Sequence, residues 1–185
     1  MFAMLSIGID CSDCLRRALL PLAAGVMVAL PIPSDAQEDV LFSIDPTESC
    51  LAAAPDLPGA YSCIGKAASA CMTASDTGRS RDGSIACLDH EIFWWEARLT
   101  KAEAELREKA LLQDSANGFD ADAPWSMQFS LTGMTDAWSD FRDAACTYAI
   151  AKYSGGSGMG AANLRCLLEL TGQRALWLEN EVRSY

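Results

Sequence analysis

Six cysteines (Cys50, Cys63, Cys71, Cys87, Cys146 and Cys166) run through the body of this 185-residue chain, and their redox state decides what it can fold into. In the cytosol they would stay reduced or hold a metal, whereas outside it an even set becomes a disulfide framework. The N-terminus points to the second case. Arg16 and Arg17 precede an apolar run from Ala18 to Ile32, and Ser34-Asp35-Ala36 then offers small residues at the positions a signal peptidase reads. The run is 15 residues long, short of the roughly 20 a membrane-spanning helix needs. Residues 1–36 are therefore expected to be a signal peptide, lost on export to the periplasm or beyond. Arg16-Arg17, flanked by Leu15 and Ala18, matches a twin-arginine signal poorly. Cys11 and Cys14, although spaced as a Cys-x-x-Cys pair, would leave with the signal.

Without Arg16, Arg17, Asp10, Asp13 and Asp35, 12 basic and 22 acidic residues remain, a net charge of −10. Such a surface repels nucleic acid and anionic lipid and suits a cationic protein partner. No Cys-x-x-Cys survives and His90 is the only histidine, so no metal or cofactor is expected. Catalytic signals are equally thin. His90 and Glu91 are neighbours on a helical pattern and do not face each other. Gly155-Gly156-Ser157-Gly158 matches a nucleophile elbow poorly and follows a helix where a strand is required. Carboxylate pairs such as Asp120 and Asp122 arise by chance in so acidic a chain. The chain reads as a binding protein that is not an enzyme.

The clearest local pattern is helical. Leu88, Ile92, Trp95, Leu99, Ala102, Leu106 and Ala110 alternate at spacings of four and three, one stripe of an amphipathic helix over about 84–113. Asp82 or Ser84 is available to cap its start. A second helix is expected from Pro124, with Met134, Trp138, Phe141, Ala145 and Tyr148 as its core stripe, ending at the glycine-rich Ser154–Gly158 turn. A third carries Leu164, Leu167, Leu168, Thr171, Ala175, Leu178 and Val182 on one face. Upstream, residues 37–49 read as an irregular arm, Cys50 to Ala54 as a short apolar segment, Ile64 to Ala74 as a short helix and Ser75 to Ser84 as an exposed loop. The expected fold is all-α: a small antiparallel bundle of three long helices plus short N-terminal helices. An arm over 37–62 would precede a helical domain over 63–185.

Six cysteines allow many connectivities, and their spacing alone does not choose among them. The helical layout favours sequential pairing. Cys146 and Cys166 flank the glycine turn, Cys71 and Cys87 flank the serine-rich segment, and Cys50 and Cys63 flank Pro58-Gly59. Phe93-Trp94-Trp95 is a local oddity: Trp95 lies on the core stripe, while Trp94 points about 100° away. Trp94 either packs under the 75–84 segment or against the Cys50–Cys63 arm, or anchors an interface.

The stretch Trp138-Ser139-Asp140-Phe141-Arg142-Asp143-Ala144-Ala145-Cys146 resembles the LprI-like lysozyme-inhibitor family, which shows a Trp-x-x-aromatic-Arg-Asp-x-x-Cys helix. The family's Gly-Gly-Ser turn is matched by Gly155-Gly156-Ser157, and its Cys…Leu-Thr…Arg helix by Cys166, Leu170-Thr171 and Arg174. Cys87 through Trp95 to Leu99 looks like an earlier family helix, so the resemblance spans roughly residues 63–180. Leu99-Thr100 replaces the usual Leu-Asn, Glu103 stands near an expected tyrosine, Thr135 replaces a frequent glutamine, and Cys50 and Cys63 look like an added pair. The resemblance implies an exported helical protein and, for some members, inhibition of lysozyme, here by acidic-surface binding to a cationic muramidase. The alternative is a periplasmic interaction protein that inhibits nothing. The motif residues Trp138, Arg142, Asp143, Gly155, Gly156, Ser157, Thr171 and Arg174 are expected to be mainly structural. Trp138 and Phe141 would pack in the core, and Arg142 would pair with a carboxylate such as Glu169.

Overall fold

The structure, a computed structural model, describes residues 40–184. The expected signal segment, with Cys11 and Cys14, lies outside the described residues. Every element among the described residues is helical: α1 (Asp45–Ala53), α2 (Leu57–Tyr61), α3 (Lys66–Ala74), α4 (Asp76–Arg79), α5 (Arg81–Asn117), α6 (Met127–Ala151) and α7 (Met159–Ser184). The all-α bundle expected from the sequence is the observed architecture.

Helix α5 organises it. At 37 residues it is about 55 Å long, and all seven residues of its predicted stripe, Leu88 to Ala110, are buried. They pack against Leu168, Ala175, Leu176 and Leu178 of α7. Each large aliphatic side chain so buried contributes about 2 kcal/mol. Helices α5 and α7 run the same way, with Ile85 near Gly160 and Leu106 beside Leu178, and α6 returns between them. Disulfides join Cys50 to Cys63, Cys71 to Cys87 and Cys146 to Cys166, with Cα–Cα distances of 5.5, 5.7 and 5.4 Å. They link α1 to the segment before α3, α3 to α5, and α6 to α7.

Several local expectations are overturned. The arm is helical from Asp45, where Pro46 sits in the first turn and needs no N–H partner. Residues 75–84 are not an exposed loop. They form α4 and the first turn of α5, because Gly78 and Gly83 serve close packing rather than a turn. A Cβ on Gly83 would lie 1.9 Å from the Thr77 carbonyl oxygen, and one on Gly78 2.4 Å from that of Cys71. The cap of α5 is Ser80, whose Oγ accepts from the Gly83 N–H at 2.9 Å, in place of Asp82 or Ser84. Pro124 stays in the preceding turn. Helix α6 starts at Met127 because Ser126 caps it, its Oγ accepting the Phe129 N–H at 3.0 Å.

Two carboxylates of α5 close the N-termini of its neighbours. Glu91 is wholly buried. Its Oε1 accepts from the Thr47 hydroxyl at 2.8 Å, the Gly65 N–H at 2.8 Å and the Trp95 indole N–H at 3.2 Å. Its Oε2 accepts the Ala68 N–H at 2.7 Å, while the Thr47 oxygen takes the Ala67 N–H at 3.0 Å. The first turn of α3 leaves such N–H groups without intrahelical partners, and its end carries partial positive charge. Glu91, reaching in from another helix, meets both needs where Gly65 has no side chain to do so. Asp114 repeats the device at the far end of α5, accepting the Met127 and Gln128 N–H groups at 2.8 and 2.9 Å.

Burial raises the Asp114 pKa, but the hydrogen bonds from Gln128 and Met127 outweigh it and hold the group below its ordinary 3.8. A carboxylate with a depressed folded pKa stabilises the fold above its unfolded value and loses that contribution as pH falls through the folded one. The Asp114→Asn variant is therefore expected to be less stable than wild type at neutral pH, with the gap narrowing once pH drops below 3.8. Urea titrations at a series of pH values measure this, and a pH-independent gap would refute the assignment. Replacing Glu91 with alanine strands four donors in the core. The expected loss is about 3 kcal/mol or more, read as a lower urea midpoint with the slope unchanged.

Candidate functional site

The family-like residues converge on α6 from the inside. Trp138 is half-buried between two guanidinium groups, with Arg142 at 5.0 Å and Arg174 at 5.5 Å from its ring centre. Arg174 also lies 5.1 Å from the Trp177 ring. It is 8% exposed, and its Nε and Nη2 have no hydrogen-bond partner. Burial lowers its pKa and the negative charge of Glu103 opposes that shift. Thr171, one turn before it on α7, is buried as well. Arg142 does not reach Glu169; it pairs with adjacent Asp143 at 2.8 Å, since the stacking on Trp138 holds it along α6. Gly155, Gly156 and Ser157 form the exposed turn from α6 to α7, where Gly155 takes a φ of 87°.

Trp94 is half-buried and packs against the core, edge-on to Trp95 at 4.7 Å with the Arg98 guanidinium 4.6 Å over its ring. Arg98 is in turn held by Glu179 of α7 at 2.6 Å. The exposed member of the aromatic triplet is Phe93, 74% accessible.

The outer side of α6 is the larger surprise. Phe141 and Tyr148, assigned above to its core stripe, are 59% and 67% exposed, and in 25 residues only Cys146 is fully buried. The inward side is carried by Leu131, Met134, Trp138 and Ala145 instead. At 100° per residue Phe141 lies 60° from Trp138 and Tyr148 lies 80° from it, enough to carry both to solvent. Two periodicities thus coexist on one helix. Ala137, Phe141, Ala144 and Tyr148 make an apolar line at spacings of four, three and four. Asp136, Asp140 and Asp143 make an acidic line beside it at four and three. All seven are exposed. Phe129, 51% exposed, lies in phase with the acidic line near the N-terminus of α6, and Lys152 lies 4.8 Å from the Tyr148 ring at the other end. The alternation of these residue types was visible in the sequence, but periodicity alone does not say which of two stripes turns inward.

The concave features run from about 240 to about 370 Å³. An apolar pocket of about 240 Å³ is lined by Leu106, Ala110, Trp125, Leu131, Met134 and Trp177, with Trp125 itself 72% exposed. This is below the usual 300–1,000 Å³ (roughly) of a small-molecule site and suits a single inserted side chain. A larger groove of about 320 Å³ between α5 and α6 is edged by Glu96, Thr100, Glu103, Thr135, Trp138 and Arg142. Among the described residues no three His, Cys, Asp or Glu side chains gather as a metal site, and no helix is long and apolar enough to cross a membrane. The outer face of α6 is the exposed strip on which apolar and acidic side chains run side by side.

No solved structure matches the chain. It is similar to an uncharacterized 17.7 kDa protein encoded in the puhA 5′ region of Rhodobacter capsulatus, with 26% identity over 171 residues that cover 87% of this chain and 95% of that protein. The family described as lysozyme inhibitor LprI matches residues 71–178, from Cys71 in α3 to Leu178 in α7. The chain belongs to the LprI lysozyme-inhibitor family.

Proposed function

We propose that this protein is exported, with residues 1–36 as a removed signal peptide, and that it binds and inhibits a basic, lysozyme-like muramidase. The observation that carries the reading is the family match, which takes in all of α5 and α6 and most of α7. Two further features agree with it. Three disulfides persist only in an oxidising compartment, where peptidoglycan and its hydrolases also lie. The net charge of −10 on the exported part would steer a cationic enzyme into encounter over a distance set by the ionic strength. Inhibition then needs no chemistry: a bound acidic helical face beside the substrate cleft excludes the glycan.

The test is the clearing of a peptidoglycan suspension by a purified basic lysozyme, with and without this protein in its disulfide-intact form. Inhibition is expected at low salt and is expected to weaken progressively as sodium chloride is raised past the point where the Debye length falls to about 8 Å. Prior reduction of the disulfides should abolish it. Lysozyme activity that is untouched at low salt by the oxidised protein rules the reading out.

A further inference from the structure

Helix α6 is anchored on one side and unoccupied on the other, and this asymmetry bears on where the partner sits. The inward side is fixed at three places: Asp114 holds the first turn, Trp138 is gripped by Arg142 and Arg174, and Cys146 is bonded to Cys166. Nothing among the described residues covers the outward side. Phe141 and Tyr148, 20° apart in phase, are 59% and 67% exposed there, aromatic area that a partner can bury. Aromatic side chains with low rotamer entropy are the usual energetic anchors of protein interfaces, and a ring of polar contacts excludes water around them. Asp136 and Asp140 supply that ring, one turn apart along the same face.

Resting on the inhibitor reading above, we infer that the outward face of α6, with Phe141 and Tyr148 as anchors and Asp136 and Asp140 as the charged rim, is the surface that docks a basic lysozyme. A second copy of this chain is the rival occupant, and two features disfavour it. The helix is 25 residues long, so its face is a strip of about 37 by 10 Å. That is under half of the roughly 800 Å² per partner that a stable interface buries. Pairing two such faces would also set Asp136 and Asp140 near their own counterparts, whereas a basic partner meets them with opposite charge. Such a partner's convex flank could fill the remaining area from the 240 Å³ pocket beside Trp125. Ser130 lines that pocket and precedes Tyr148 by five helical turns, so both lie at one angle around α6.

The experiment measures binding to, and inhibition of, a purified basic lysozyme by the oxidised protein and three variants, with helical content and disulfide state checked for each. In the first variant Asp136 and Asp140 both become lysine. In the second Phe141 becomes alanine. The third is a charge-matched control in which Glu48 of α1 and Asp89 of α5, both exposed, become lysine. The first two are expected to weaken binding about tenfold or more, the scale of a hot-spot truncation, and the control less than about threefold. Equal losses in the first and third variants would show that only net charge matters and overturn the assignment of the face. Wild-type affinity in the first two would overturn it too, and in both cases the inhibitor reading would stand. A wild-type protein that neither binds nor inhibits lysozyme removes the reading and the face together. Sedimentation showing a wild-type dimer that Phe141→Ala dissociates would make the second copy the occupant and overturn the proposal.

Discussion

Two buried carboxylates on one helix hold the rest of the protein in register. A helix end buried in a protein needs acceptors for its first N–H groups, and α3 and α6 take theirs from Glu91 and Asp114 of α5. Glu91 does more than cap. Because the Thr47 hydroxyl donates to it while accepting from Ala67, α1, α3 and α5 share one hydrogen-bonded node. Four donors and the positive end of α3 surround its carboxyl group, which satisfies a polar side chain that burial would otherwise penalise. The same arrangement explains how α6 stays in place while burying so little of itself. Its first turn is tied to α5 by Asp114, and its position does not depend on a continuous apolar seam.

The disulfides act where that seam is thinnest. Helices α5 and α7 bury a long common face and need no covalent link. The bonds fall instead on α1, on the nine-residue α3 and on the last turns of α6. Closing loops of this size restricts the unfolded chain by about 3 kcal/mol each in the loop-entropy account. That is comparable to burying one or two large side chains. Oxidation and architecture are therefore physically linked: the disulfides supply stability that a small core leaves short.

How much of this was legible in the sequence varied with the kind of signal. The α5 stripe from Leu88 to Ala110 was plain, because a long helix packed on one side repeats the same demand seven times. The α7 face was legible for the same reason, and sequential cysteine pairs followed from where helices and turns had to lie. The α6 face was misread because Phe141 and Tyr148 sit near enough to Trp138 in phase to look internal. Hydrophobicity marks a side chain as worth burying without saying by what. Glu91 was passed over because its role depends on Thr47, Gly65 and Ala68, residues 23 or more positions away that no local pattern connects to it. Gly78 and Gly83 were read as loop formers, when the neighbouring carbonyls leave no room for a Cβ. In each case the missing information was a tertiary neighbour.

The two sides of α6 answer to different constraints. Trp138, Arg142 and Arg174 touch one another, so their identities are set by packing, and any chain that builds this helix pair on a caged tryptophan needs residues of their shape. The outer residues touch little within the fold. Folding alone would be served as well or better by small polar side chains at 141 and 148, which would not expose aromatic rings to water. Their present identity is therefore unexplained by stability and calls for an occupant. The family-like motif itself spans both sides, since Trp138 and Arg142 lie inward while Phe141 and Asp143 of the same stretch are exposed. Packing therefore accounts for the inner members of the motif, and the exposed rings at 141 and 148 are the part of this helix that packing leaves unexplained.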